Sequence, residues 1–354
     1  MGDNLAVISK DVKISNLKGI LIFLVFFGHL IEIYKDDYYE LFVFIYAFHM
    51  PLFIFISGYL AKRMRVSKIV NFILLYLIFQ TFFNWVLYLT GDYSNLQFTY
   101  GKPHFHLWYI VSMGFWYGIT FLITKLNLNT VGKWITFIII FVISLMSRWY
   151  TDDIVDFIQI YYGNFTSYTL SYQRTLSFMP FFFLGYFTNK QWLSSMYNSL
   201  SHRLITVILL IITMLFTFLY IQNVDGFESI FRGSHGIHKF LEDNDGFLMY
   251  LLKMFIAYIL SFWVCYLIIN LVPNKTSIFT KWGDNSLTIF LFHPIIVFVI
   301  RSTEYMTEWK PDTKLVAFLF LTIIFTIILG SNFFERVTRY MCKPYYFIKK
   351  TINK

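Results

Sequence analysis

Three histidines, His29, His49 and His293, fall inside long apolar runs, where an ionisable side chain is costly and rare. A neutral imidazole titrates near pH 6.5 and accepts a proton from a hydroxyl, so the chemistry such residues offer is general-base catalysis. His29 follows Lys18 by eleven residues in one run, about 16 Å along a helix. His49 lies eight residues into the next run, which returns across the same layer, so the two imidazoles arrive at similar depth on neighbouring spans and can face one cavity. The structural alternative for each histidine is a hydrogen bond to a backbone carbonyl or a tyrosine that joins helices. Matched depth favours function for His29, while both readings stay open for His49 and His293.

Other residues border the runs. Lys62-Arg63-Met64-Arg65-Val66-Ser67-Lys68 follows the second run. It reads as a basic anchor on the cytoplasmic side, or as a landing site in which Arg63, Arg65 and Lys68 meet the phosphates of a nucleotide-bearing donor. His104-x-His106 precedes Leu107-Trp108-Tyr109, an aromatic pair expected at the membrane interface. The H-x-H spacing suits a metal, but no carboxylate or third ligand is adjacent, and no metal site is assigned. Arg174 opens a later run on that same side. Ser57 has no nucleophile-elbow motif around it, and Ser57-Gly58 reads as close helix packing. Cys265 and Cys342 provide neither a disulfide framework nor a thiolate metal site.

The elements that position these residues are membrane helices. Of 354 residues, 57% are hydrophobic and 14% charged, with 43 phenylalanines, against roughly 25% charged residues in soluble domains. Mean hydropathy is +0.59. Apolar runs of about twenty residues match a hydrocarbon layer of roughly 30 Å. Their lack of period-two alternation selects helices over a barrel. Ten spans are expected, at 17–34, 41–60, 69–89, 107–124, 133–149, 174–189, 203–222, 248–271, 285–301 and 314–333. The chain thus reads as an all-α polytopic membrane protein and a single domain over 1–354. No small-residue cleavage site follows the first run, which is expected to be retained.

Alternating these spans sorts the charges. The side holding both termini carries 19 of the 29 basic residues, and the opposite side carries 16 of the 20 acidic ones. Basic loops stay inside, so both termini are expected in the cytoplasm. The formal charge of +9 is then accounted for by topology and lipid headgroups, with the bilayer as partner and no role for nucleic acid.

Several of these residues together carry a resemblance. Asn16-Leu17-Lys18-Gly19-Ile20 followed by Gly28-His29 resembles the opening of the acyltransferase 3 membrane family, whose first span carries Arg or Lys, ten residues, then His. Phe48-His49-Met50-Pro51-Leu52-Phe53 with Ser57-Gly58-Tyr59 is similar to its second span, His106-Leu107-Trp108-Tyr109 to its fourth, and His293-Pro294 to its ninth. Arg174-Thr175-Leu176-Ser177-Phe178-Met179-Pro180 and Phe181 through Tyr186 are similar to the sixth-span signature of the fucose 4-O-acetylase-like branch. Ser15 and Asn16 stand where the family often has Asp, Leu74-Leu75-Tyr76 where it usually has Pro, and Arg65-x-x-Lys68 approximates its paired basic residues.

The resemblance implies transfer of an acyl group, commonly acetyl, from acyl-CoA (acetyl-CoA first among donors) to a hydroxyl. The implied acceptor is an envelope glycan, an exopolysaccharide or a lipid-linked sugar, and the setting a bacterial plasma membrane with no bound cofactor. Within it, His29 is the general base and His49 its catalytic companion. Lys18 is expected to bind the donor or to set the electrostatics of the cavity, Arg63, Arg65 and Lys68 to attend the donor, Arg174, by its position, to hold the acceptor or the donor's acyl end, and His293 to contribute to binding. The rival classes are an exporter of a polysaccharide or lipid-linked sugar, for which paired broken helices in two halves would speak, and a non-catalytic scaffold, which gives the matched histidines no task. Thiol release from acetyl-CoA discriminates the enzyme from both.

Overall fold

The computed structural model describes residues 11–62, 65–96, 98–104, 106–197, 203–221 and 226–352, so Arg63 lies outside the described residues. Its long helices are α1 (Val12–Ile31), α2 (Tyr39–Leu60), α3 (Val66–Leu89), α4 (Trp108–Lys125), α5 (Thr130–Trp149), α6 (Tyr172–Phe187), α7 (Arg203–Ile221), α8 (Phe247–Leu271), α9 (Ser286–Thr303) and α10 (Pro311–Leu329). No strand occurs among the described residues. Eight of these helices are long and apolar enough to cross a membrane. The other two are α4, whose run is interrupted by Ser112, Gly114 and Gly118, and α6, which has 16 residues and opens on Gln173, Arg174 and Thr175. The protein is an all-α, multi-pass membrane protein.

Helix α1 starts five residues before the expected span. The Asp11 carboxylate accepts from the Lys13 and Ile14 amides and caps it, satisfying amides that a helix start leaves open. The polar residues Ser15 and Asn16 are buried there by the short helix Ile278–Asp284. Ser15 Oγ donates to Asp284. The Asn16 amide donates to the Pro273 and Lys275 carbonyls and accepts from Ser277 and Thr280. Every polar atom of Asn16 is thus employed, which is what makes its burial tolerable.

Two close crossings hold the centre. A Cβ on Gly19 would collide with the Phe279 carbonyl, and one on Gly283 with the Ser15 carbonyl. Likewise, Gly58 of α2 lies on the Phe182 carbonyl, and Gly185 of α6 on the Phe55 carbonyl. Small residues at reciprocal positions let backbones touch, the usual means of helix association where lipid supplies no hydrophobic drive. Helix α1 also packs on α2, α9 and α10, and α2 on α6, α7 and α8. As a result 83% of the apolar stretch of α2 is buried, against 17% for α5 and α7.

The loops at the end of the bundle away from the start of α1 are fastened by polar side chains. Tyr76, Gln80 and Asn84 stand at four-residue intervals on α3, one face of a helix. Tyr76 donates to the Tyr100 carbonyl (2.5 Å), and Gln80 to those of Thr99 and Lys102 (2.8 and 3.0 Å). Asn84 Oδ1 meets His104 Nε2 at 2.7 Å. On the other flank Arg148, buried at the end of α5, donates to the Ser229, Ile230 and His235 carbonyls. Trp108 and Tyr109, expected at the interface, are buried instead, Trp108 against Phe178 and Tyr109 against Phe53 and Phe290.

Candidate active site

These fastened loops roof a cavity of about 540 Å³ at the end of the bundle away from the start of α1. His29, in the last turn of α1, and His49, midway along α2, both line it, as does Arg174 from the start of α6. His293 is fully buried directly behind His29, with His29 Nδ1 and His293 Nε2 3.0 Å apart.

The backbone fixes the tautomers. His293 Nδ1 lies 3.0 Å from the Ile289 carbonyl, and a carbonyl only accepts, so the proton of neutral His293 is on Nδ1. Its Nε2 must then accept from His29 Nδ1–H, which leaves the lone pair of His29 on Nε2. His49 follows the same rule: its Nδ1 donates to the Ile45 carbonyl at 2.7 Å and its Nε2 is the acceptor. Both rings therefore sit over a carbonyl four residues earlier, beside a proline (Pro51, Pro294) that itself brings no amide to the helix ladder. His29 carries the arrangement of an imidazole oriented by a second group, which prepares a base for use.

Polar groups tie the two catalytic candidates together. Glu32, three residues after His29, accepts from Tyr46 Oη at 2.7 Å and pairs with Arg232 at 2.8 Å. The ring of Tyr46 stands edge-on to His49, centroids 4.8 Å apart. Arg232 also pairs with Glu228 at 2.8 Å. Arg174 donates to the Arg232 carbonyl at 3.3 Å, and its guanidinium lies over Trp108 and Tyr168. Glu32, Tyr46 and Arg232 were not singled out from sequence. The signal for Glu32 was its three-residue offset from His29, one helical turn, whereas Arg232 sits in an acidic loop with no local mark.

His104 and His106 go to different partners rather than to one metal. His104 meets Asn84, and His106 packs its ring against Phe83 and, at 6.0 Å between centroids, His293. Burial pushes His104 down to about 4, and His235, in the loop over the cavity, is pushed down to about 4 by burial and by Arg232, Arg174 and Arg148. Both loop histidines are therefore uncharged at neutral pH. Lys18, Arg65 and Lys68 are not on the cavity wall. Lys18 is half-buried in α1, Arg65 immediately precedes α3, and Lys68 in its first turn stands over the Tyr117 ring at 5.6 Å.

Comparison with known proteins places the chain in a family. The profile described as an acyltransferase domain (Acyl_transf_3) matches residues 11–331, most of the chain and all of the cavity wall. Nodulation protein NolL of Sinorhizobium fredii (strain NBRC 101917 / NGR234) is 48% identical over 60 residues, 15% of this chain and 16% of that protein. No solved structure matches.

Proposed function

Because the chain belongs to the acyltransferase family whose profile spans residues 11–331, we propose that this membrane acyltransferase moves an acyl group, most simply acetyl, from acyl-CoA to a hydroxyl of an envelope or exopolysaccharide carbohydrate. In this reading it works in a bacterial plasma membrane with both termini cytoplasmic, within the fucose 4-O-acetylase-like branch. The cavity then faces outward and admits the acceptor. The slender arm of acyl-CoA arrives from the cytoplasmic side, where Lys18, Arg65 and Lys68 suit its phosphates.

The observation that supports it most is the contact of His29 with His293 at the cavity wall. His29 Nε2 takes the acceptor's hydroxyl proton as that oxygen attacks the acyl carbonyl. The new C–O ester bond forms, the thioester C–S bond breaks, and the proton passes to the leaving thiolate. While His29 is protonated, its Nδ1–H remains bonded to His293 Nε2, which holds the imidazolium in place. His49 Nε2 accepts a hydrogen bond from the incoming sugar. Arg174 offers positive charge where the carbonyl oxygen becomes negative.

Purified protein supplied with acetyl-CoA and an envelope glycan fraction is expected to release thiol and to raise the glycan mass by one acyl group, as read by mass spectrometry. His29→Ala is expected to insert at normal levels with both signals lost. Normal acylation by that variant would remove His29 from the mechanism, and export of the glycan without any mass change would replace the enzyme by a transporter.

A further inference from the structure

The acyltransferase profile matches residues 11–331, and two more helices follow, α11 (Asn332–Cys342) and α12 (Pro344–Ile352). Helix α11 begins three residues after α10 ends at Leu329, a reach of about 10 Å, so it starts at the membrane surface. The join lies at the end of the bundle where α1 starts: Asn285 donates to the Gly330 carbonyl, and Ser331 Oγ accepts from the Phe334 amide. Around α11 the residues divide three ways. Phe334, Thr338 and Cys342, at four-residue intervals, face the protein, Phe334 edge-on to Phe292 of α9 and Cys342 beside Thr288. Phe333, Val337 and Tyr340 form a second stripe, exposed by 75%, 61% and 65%. Arg336, Arg339 and Lys343 line the third edge with Glu335, which Arg339 meets at 2.8 Å and Lys343 at 3.7 Å. Helix α12 adds Lys349 and Lys350, and is tied to the bundle where the Tyr345 amide donates to Asn71 of α3 at 3.3 Å. Residues 332–352 thus hold five basic residues and one acidic one.

Three large apolar side chains left in water would form an exposed patch without a reason, and burying the basic edge in acyl chains would cost more. A helix lying flat at the membrane surface avoids both, with the stripe at the acyl boundary and the basic edge among headgroups. The excess of base over acid favours anionic headgroups, because each Lys or Arg near such a surface is attracted to it. We infer that α11 and α12 form an in-plane anchor whose partner is an anionic phospholipid leaflet, with Phe333, Val337 and Tyr340 inserted and Arg336, Arg339 and Lys343 on the lipid phosphates. In the orientation proposed above, that leaflet is the cytoplasmic one. The surface lies beyond the profile-matched residues and does not depend on the acyl-transfer reading.

Full-length protein carrying a diazirine side chain in place of Val337 would be illuminated in nanodiscs of equal phosphatidylcholine and phosphatidylglycerol, and its adducts read by mass spectrometry. Lipid adducts are expected, with phosphatidylglycerol favoured at least about fivefold, the ratio that one cation near an anionic surface provides. The same probe in place of Ile139, on the outward face of α5, is expected to give lipid adducts near the bulk ratio. In the triple variant Arg336→Gln, Arg339→Gln, Lys343→Gln the preference at position 337 falls to the bulk ratio, whereas Arg336→Lys with Arg339→Lys retains it. Equal labelling of the two lipids at 337 in the otherwise unsubstituted protein would overturn the choice of an anionic partner. A preference that survives the triple variant would overturn the role of these three cations. Adducts to a second protein chain, or none at 337 where Ile139 gives them, would overturn the lipid contact itself.

Discussion

Helices α2 and α5 are both long, apolar and free of acidic residues beyond their first turns, yet they occupy opposite situations. In α2, 83% of the apolar stretch is buried within the protein, and in α5 only 17%. The difference lies in what interrupts the apolar residues. Helix α2 carries His49 and Gly58, each with a partner inside the protein (the Ile45 and Phe182 carbonyls), and Pro51, which brings no amide to the helix ladder. Helix α5 keeps its polar residues on one edge, with Ser144, Ser147 and Arg148 buried and Ile138, Ile139 and Val142 turned outward. In lipid an apolar side chain gains little by moving from acyl chains to protein, so polar and small residues decide which helix is central.

The sharpest way to break this comparison is to enlarge a glycine at a central crossing. Gly58→Val or Gly283→Val places a Cβ against a backbone carbonyl that cannot rotate away, at a cost of about 3 kcal/mol, the upper end of the overpacking range. Little monodisperse protein is expected by size-exclusion chromatography. Gly118→Val, where nothing lies within 4 Å of the added carbon, is the control and is expected to behave as wild type. A well-behaved Gly283→Val protein would mean that the α1 crossing is looser than described.

Next in size is the histidine pair. His293→Ala removes the acceptor of His29 Nδ1–H and is expected to lower kcat about 10²-fold, the scale of a misplaced catalytic group, with KM nearly unchanged. His293→Gln, whose side-chain oxygen accepts the same hydrogen bond, is expected to recover part of the loss. Equal kcat values for the two variants would reduce His293 to a packing residue.

A smaller effect is expected at the clamped loop. Burial holds His104 at about 4, below the ordinary 6.5, so the folded state keeps it neutral where the unfolded state would take a proton. Its contribution is fully present above about pH 6.5 and is lost as pH falls toward 4. Melting temperature should therefore fall less between pH 7 and pH 4.5 in His104→Gln than in wild type, by about 2–4 °C. Parallel curves for the two proteins would show that this imidazole does not couple the loop to pH.

Much of this architecture was legible in the residues. Run lengths located the helices to within a few positions, as with 203–222 against Arg203–Ile221. The start of α1 was not, because Lys13, Ser15 and Asn16 look like loop residues until the Ile278–Asp284 segment supplies their partners. Depth counting brought His29 and His49 to one cavity wall, as the structure does. It could not find the 3.0 Å contact with His293, which depends on how α9 docks on α1 more than 250 residues away in sequence. Nor could it see that Arg174 and Arg232 meet, since that depends on Arg148 and the fold of an acidic loop.

The least effect is expected on the outward faces of α5 and α7. Ile138, Ile139, Ile212 and Leu215 are each more than half exposed, and in a membrane that exposure is to acyl chains. Swapping all four among Leu, Ile and Met leaves the transfer free energy and the helix backbone nearly as they were, so activity should stay within about twofold of wild type. The shorter Ile54→Val change on α2, where the side chain is fully buried, is expected to cost about 1 kcal/mol by removing one packed methylene. Thermal melting in one detergent compares the two directly. A larger loss from the outer quadruple variant would mean that α5 and α7 rest against another protein rather than lipid, and helix burial within one chain would then no longer separate the working helices from the wall.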